Sequence, residues 1–213
     1  MKYAVFSPRS LLTMTWWQTE RYKDKDAIIC DGSIRSSKTV SMSIGFILWS
    51  CSCFNGKTFA ICGKTIESLR RNVITQLPTL FEGLCKITER KSENLMVVSL
   101  DGRVNKYYLF GGKDEGSAAL IQGMTLAGVM FDEVALMPRS FVEQALARCS
   151  VEGSKFWFNC NPDSPEHWFY KEWIQKHKKK NDLYSHLTME DNNSLSEKVK
   201  KRYENMYSGA FYD

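Results

Sequence analysis

An apolar stretch, Asp26-Ala27-Ile28-Ile29-Cys30, breaks at Asp31-Gly32 into a polar turn and resumes as a long apolar-rich segment over 38–51. That order reads strand, loop, helix. The loop itself is Gly32-Ser33-Ile34-Arg35-Ser36-Ser37-Lys38-Thr39, the pattern G-x-x-x-x-G-K-[ST] with Ser37 in place of the second glycine. Successive backbone N–H groups in such a loop wrap a β-phosphate at a helix N-terminus. The lysine ammonium then reaches β and γ oxygens, and the threonine hydroxyl is placed to ligate Mg²⁺. Serine at the glycine position permits this wrap provided its backbone stays away from strongly positive φ. The competing reading is a chance Ser-rich turn that happens to contain a lysine.

The surrounding chain fits the α/β setting that this loop requires. Thr58-Phe59-Ala60-Ile61-Cys62 with Gly63 predicts a second buried strand, and 65–76 a helix ended by Pro78. Leu95-Met96-Val97-Val98-Ser99-Leu100, Asp101-Gly102 and Val104 to Phe110 predict an antiparallel hairpin, because Asp-Gly suits a type I′ turn. Strands follow at 128–131 and 155–160, with a helix over 141–148 that Pro138 introduces. The expected class is an α/β fold with a mainly parallel sheet flanked by helices and an antiparallel insertion. Beyond Pro165 the texture turns Lys-rich and aromatic, with helices expected over 166–176 and 196–206. A boundary near 163–165 divides a core, 1–163, from a small C-terminal lid subdomain, 164–213.

The 213 residues, 43% hydrophobic and 25% charged, suffice for one core. No apolar run approaches the ~20 residues that span a bilayer. The opening Met1 to Arg9 lacks the apolar stretch of a secretory signal, so the chain is expected inside a cell, away from membranes. Its seven cysteines are then reduced thiols, without zinc-site spacing, and expected to be buried. Net charge is +5, but 101–170 is net acidic between basic flanks.

Within that acidic middle, Ala127-Gly128-Val129-Met130-Phe131 ends in Asp132-Glu133, the form of a Walker B strand. Asp132 would help hold Mg²⁺ and Glu133 would polarise water as general base. A small-molecule kinase has no need of Glu133, since its attacking group is a bound hydroxyl. Arg35, inside the phosphate loop, either neutralises charge developing at the γ-phosphate or simply faces solvent. Asn159-Cys160-Asn161-Pro162 closes the strand after Walker B. If that strand lies between the other two, its terminal amides face the γ-phosphate; otherwise they are an ordinary strand stop.

Taken together, Gly32 to Thr39, then Leu120-Ile121-Gln122-Gly123-Met124-Thr125 through Asp132-Glu133 to Pro138, then Asn159 to Pro162 with His167-Trp168-Phe169, resemble the large subunit of tailed-bacteriophage terminases, the DNA-packaging motors. The resemblance covers most of the chain and keeps the motifs in order. It implies an additional-strand (ASCE-type) P-loop ATPase that uses ATP and Mg²⁺ to translocate double-stranded DNA into an empty capsid. Its partners would be a portal protein, a small terminase subunit and further copies of itself in a ring, in the host cytoplasm and transiently docked on the procapsid. Arg35 becomes a candidate cis arginine finger, 159–162 a coupling segment with Asn159 and Asn161, and residues after about 163 the lid. Many members carry a trans-acting Arg where this chain has Gln122, which leaves Arg148 and Arg139 as substitutes. The nuclease domain of the family has no counterpart before the chain stops at Ser208-Gly209-Ala210-Phe211-Tyr212-Asp213, where a linker to it would begin.

Gln18 stands before the loop at about the distance of adenine-contacting residues in related motors, although the adjacent Trp16 and Trp17 read more readily as core. Lys176, Lys178, Lys179 and Lys180, and Lys198, Lys200, Lys201 and Arg202, could meet DNA phosphates or form a solvated face. Two other functions compete: a helicase-like translocase, and a nucleic-acid-binding assembly protein whose P-loop has weak or no turnover. The first lacks further Arg-rich motifs; the second is opposed by intact Lys38, Thr39, Asp132 and Glu133.

Overall fold

The computed structural model describes residues 6–161 and 164–206. Helix α1 (Pro8–Thr15) is capped by the Ser7 side chain, and it precedes β1 (Ala27–Gly32), α2 (Lys38–Cys53) and β2 (Thr58–Gly63). Helices α3 (Ile66–Asn72) and α4 (Leu77–Leu80) lead to three strands, β3 (Lys86–Arg90), β4 (Leu95–Leu100) and β5 (Arg103–Gly111). The chain continues through β6 (Gly128–Phe131), α5 (Arg139–Ala147), β7 (Lys155–Asn159), β8 (Asp182–Leu187) and α6 (Glu197–Met206).

These strands form one eight-stranded sheet in the order β3-β4-β5-β2-β6-β7-β1-β8. Pairing is parallel from β5 through β8 and antiparallel only at β3-β4-β5. All six residues of β1 are buried, as a central strand covered on both faces requires. One face packs Phe46 and Trp49 of α2 against Phe59, Tyr107 and Trp157; the other packs Phe141 and Val142 of α5 against Phe131 and Phe158. Strand β7 lies between β6 and β1, so the ends of the phosphate-loop strand, the Walker B strand and the strand between them share one rim. Ligands of open parallel sheets bind beyond the carboxyl ends of such strands.

Several expectations are corrected. Beyond the expected boundary near 163–165, where 162 and 163 lie outside the described residues, β8 pairs with β1 along six residues. Its members Leu183 and Leu187 belong to the core, and that long-range pairing makes a strand of a short stretch with no strong signal of its own. Pro78 does not end a helix: α3 stops at Asn72, and Pro78 occupies the first turn of α4, where a missing N–H costs nothing. The helix expected over 166–176 is largely a π turn, Tyr170–Ile174. Cys53 is exposed, whereas Cys30, Cys51, Cys62 and Cys160 are buried. Pro162 and Asp163, and the expected linker at 208–213, lie outside the described residues.

Candidate nucleotide-binding and catalytic site

The loop after β1 is shaped by backbone conformations that few side chains favour. Gly32 has φ +132°, and a Cβ there would stand 1.8 Å from the Leu187 carbonyl oxygen, so only glycine fits between the loop and β8. Arg35 and Ser37 take left-handed φ values of 61° and 67°. The condition set for Ser37 is therefore not met: serine adopts the conformation that glycine would, and the strain is held by its place at the α2 N-terminus. Ser37 Oγ donates to the Ser36 carbonyl and lies 3.4 Å from Ser10 Oγ of α1.

Lys38 opens α2 and is buried, with its ammonium turned back into the loop. Nζ donates to Gly32 O at 2.9 Å, Ser33 O at 2.7 Å, Ser36 Oγ at 3.2 Å and Asn161 Oδ1 at 2.8 Å. Burial lowers its pKa from the ordinary lysine value, and the nearby acidic groups only partly offset this. Beside it, Thr39 Oγ1 donates to Asp132 Oδ1 at 3.2 Å. Asn159 Nδ2 bridges the pair, 2.9 Å from Thr39 Oγ1 and 2.7 Å from Asp132 Oδ1, while its own buried Oδ1 has no partner among the described residues. Burial and then Glu133 raise the pKa of Asp132, against the hydrogen bonds from Asn159, Thr39 and Asn72.

Glu133 has φ 57°, a left-handed kink just after β6. It lines a cavity of about 650 Å³ together with 34–40, Asn72, Asn159, Asn161 and Asn192. Every residue expected to bind phosphate or perform the chemistry thus stands at this cavity or, for Asp132, is hydrogen-bonded to Thr39 on its wall. The exceptions are Gly32 and Ser33, which form the loop's inner side and accept from Lys38.

The peripheral candidates lie elsewhere. Gln18 is exposed and does not line the cavity, and Trp16 is buried against Trp157 in the core. Arg139 is exposed and paired with Glu143 at 2.6 Å. Arg148 closes α5, with a buried Nε that lacks a partner among the described residues. Sequence reading missed Asn72 and Asn192, isolated amides with no motif to mark them. It also missed Asp31, which is buried and accepts from Tyr184 Oη at 2.8 Å and pairs with His186 Nδ1 at 2.8 Å, fastening β8 to the strand that carries the loop. Among the described residues no group of three or more His, Cys, Asp or Glu could hold a metal ion unaided, and no helix is long and apolar enough to cross a membrane.

A loop of this kind at the end of β1, with an additional strand inserted between it and the Walker B strand, defines a P-loop NTPase fold of the additional-strand class. The family described as terminase large subunit, T4likevirus-type, N-terminal, matches residues 29–212, and the chain belongs to it. The solved large terminase of a thermophilic bacteriophage is similar at 52% identity and TM-score 0.93, over 97% of this chain and 52% of that one. The same terminase in complex with ADP matches at 51% identity and TM-score 0.92, over 97% of this chain and 52% of that one. This chain thus spans about half the length of those proteins. The ATPase domain of the Thermus phage P74-26 large terminase, 14% identical, shares the fold with TM-score 0.64 over 92% of this chain and 87% of that one. No curated protein matches the chain.

Proposed function

We propose that this chain is the ATPase part of a viral DNA-packaging motor, hydrolysing ATP to drive double-stranded DNA into a preformed capsid. The observation that carries the reading is the convergence of Lys38, Thr39, Asp132, Glu133, Asn159 and Asn161 on one cavity rim. Family membership and the ADP and ATP-gamma-S complexes of the terminase about half identical to this chain support it.

In this mechanism the backbone amides of 33–39 hold the β-phosphate, and Lys38 exchanges its carbonyl acceptors for β and γ oxygens. Thr39 Oγ1 and Asp132 Oδ1 are hard oxygen donors at one spot and would hold a Mg²⁺ ion. When bound, that ion neutralises charge on the phosphate oxygens. Glu133, aimed into the cavity by its left-handed backbone, orients the attacking water and takes its proton. Arg35 stabilises the charge of the transferred group in cis. Asn159 holds Thr39 and Asp132 in register, and Asn161 reports the state of Lys38.

The wider assignment follows the same reading: copies of the chain act as a ring with a portal protein and a small terminase subunit, in the host cytoplasm and docked on the procapsid. A trans-acting Arg148 or Arg139 serves a neighbour's site, segments beyond 164 other than β8 act as the lid, and DNA cutting is not assigned to these residues. The test is ATP turnover by the purified chain, with and without double-stranded DNA, beside Glu133→Ala. The substitution should keep nucleotide binding and lose turnover. Equal turnover by both proteins would overturn the role of Glu133, and failure of the wild-type chain to bind ATP would overturn the reading as a whole.

A further inference from the structure

Strand β8 is fastened to the entrance of the phosphate loop at three points. Asp31, the residue before Gly32, is 2% exposed, and both of its carboxylate oxygens are engaged. Oδ2 accepts from Tyr184 Oη at 2.8 Å, and Oδ1 pairs with His186 Nδ1 at 2.8 Å. Ser33 N–H then donates to Leu187 O at 3.1 Å. The register sets Ile29 beside Tyr184 and Asp31 beside His186, so both partners leave β8 on the side where Asp31 leaves β1. The next two carbonyls, of Gly32 and Ser33, are the ones that accept from Lys38 Nζ. Neither Tyr184 nor His186 lines the cavity.

Sheet pairing does not need this carboxylate. β1 and β8 already pair along six residues, and an apolar side chain in the place of Asp31 would avoid the desolvation cost of a buried acid. What distinguishes the position is that it directly precedes the loop. We infer that Asp31 is a positioning residue for the phosphate loop, and that Tyr184 and His186 act on the nucleotide site through it. With both oxygens fixed, the Asp31 backbone cannot turn, so the Gly32 and Ser33 carbonyls stay directed at Lys38. Loss of one bond gives the loop entrance freedom that nucleotide binding must remove, and affinity falls. The inference rests on the proposed ATP reading and extends it to two residues outside the cavity. Because the loop wraps the β-phosphate, which diphosphate and triphosphate share, both nucleotides feel the change equally.

The experiment is to measure ADP and ATP-gamma-S affinity by titration calorimetry with Mg²⁺, and KM and kcat for ATP, in wild type, His186→Ala, His186→Asn and Tyr184→Phe. The His186 side chain is 38% exposed, so its truncation leaves no buried cavity. His186→Ala should weaken both nucleotides about three- to tenfold and raise KM by the same factor, with kcat within about twofold of wild type. His186→Asn, whose amide N–H can stand where Nδ1 does, should restore affinity. Tyr184→Phe removes the other bond and should weaken both nucleotides in the same way, which keeps the test open if His186→Ala does not fold. Unchanged affinity in folded His186→Ala and Tyr184→Phe would overturn the inference and leave the three residues a purely architectural role. A fall in kcat at constant KM, or no rescue by His186→Asn, would overturn it too. Absence of nucleotide binding by the wild-type chain would instead overturn the ATP reading beneath it.

Discussion

Asn161 Oδ1 accepts a 2.8 Å hydrogen bond from Lys38 Nζ, joining the end of the strand between loop and Walker B to the phosphate-loop lysine across 123 residues of sequence. The ammonium has three protons and four acceptors, all within the protein. In the proposed mechanism phosphate takes over at least one of these bonds, and the side-chain amide of Asn161 is one of the acceptors that it can replace. Loss of the Asn161 bond would link that residue to nucleotide occupancy.

If that link is used, Asn161→Ala should destabilise the nucleotide-free protein by about 1–3 kcal/mol, the range for losing a hydrogen bond to a charged group. With saturating Mg²⁺ and ADP the deficit should shrink, because Lys38 is then satisfied by phosphate. Thermal melts with and without nucleotide measure both values. An unchanged deficit in the presence of nucleotide would assign Asn161 a purely architectural role.

Asn159 works on the other half of the site. Asn159→Asp would place a second carboxylate 2.7 Å from Asp132, whose pKa burial and Glu133 already raise. A like charge raises it further. In the proposed mechanism turnover needs ionised Asp132, so the acid limb of the pH–rate profile should move to higher pH, with kcat at neutral pH falling about 10²-fold. An acid limb that stays in place would detach Asn159 from the ionisation of Asp132.

The elements that were legible in the sequence share a property. Gly32 to Thr39, Asp132-Glu133 and Asn159 to Asn161 each follow a short apolar run, so strand-end chemistry is written locally in residue type and order. The site's remaining parts depend on distant pairing. Leu183 to Leu187 becomes β8 because β1 offers it a buried edge, and only then do Tyr184 and His186 reach Asp31. Asn72 and Asn192 sit on a helix end and a turn, where nothing in their neighbours announces a role. Ser37 shows the reverse failure: its motif position was plain, but its backbone conformation was not, since tertiary context imposed the φ that serine avoids.

Ser37 therefore supplies a test of stored strain. A non-glycine residue in the left-handed region costs about 1–2 kcal/mol relative to its preferred conformations. Ser37→Gly should recover part of that, raising the unfolding midpoint in denaturant while keeping nucleotide binding. A lower midpoint would mean that the contacts of Ser37 Oγ with Ser36 and Ser10 outweigh the backbone cost.

Asp182, at the start of β8, gives the last prediction. It is buried, its Oδ2 has no hydrogen-bond partner among the described residues, and burial raises its pKa from 3.8 to about 7. The folded chain thus holds a proton that the unfolded chain releases near pH 4. Between pH 4 and pH 7 the folded state binds more protons, so the stability from this group is full below about pH 4, is lost progressively as pH rises to 7 and changes no further above it. Asp182→Asn keeps the shape of the neutral carboxyl and removes the titration. Its unfolding midpoint should exceed that of wild type at pH 8 and approach it at pH 5. Parallel pH dependence in the two proteins would show that Asp182 is ionised in the fold, with the basic groups of Lys25 and Lys180 compensating its charge.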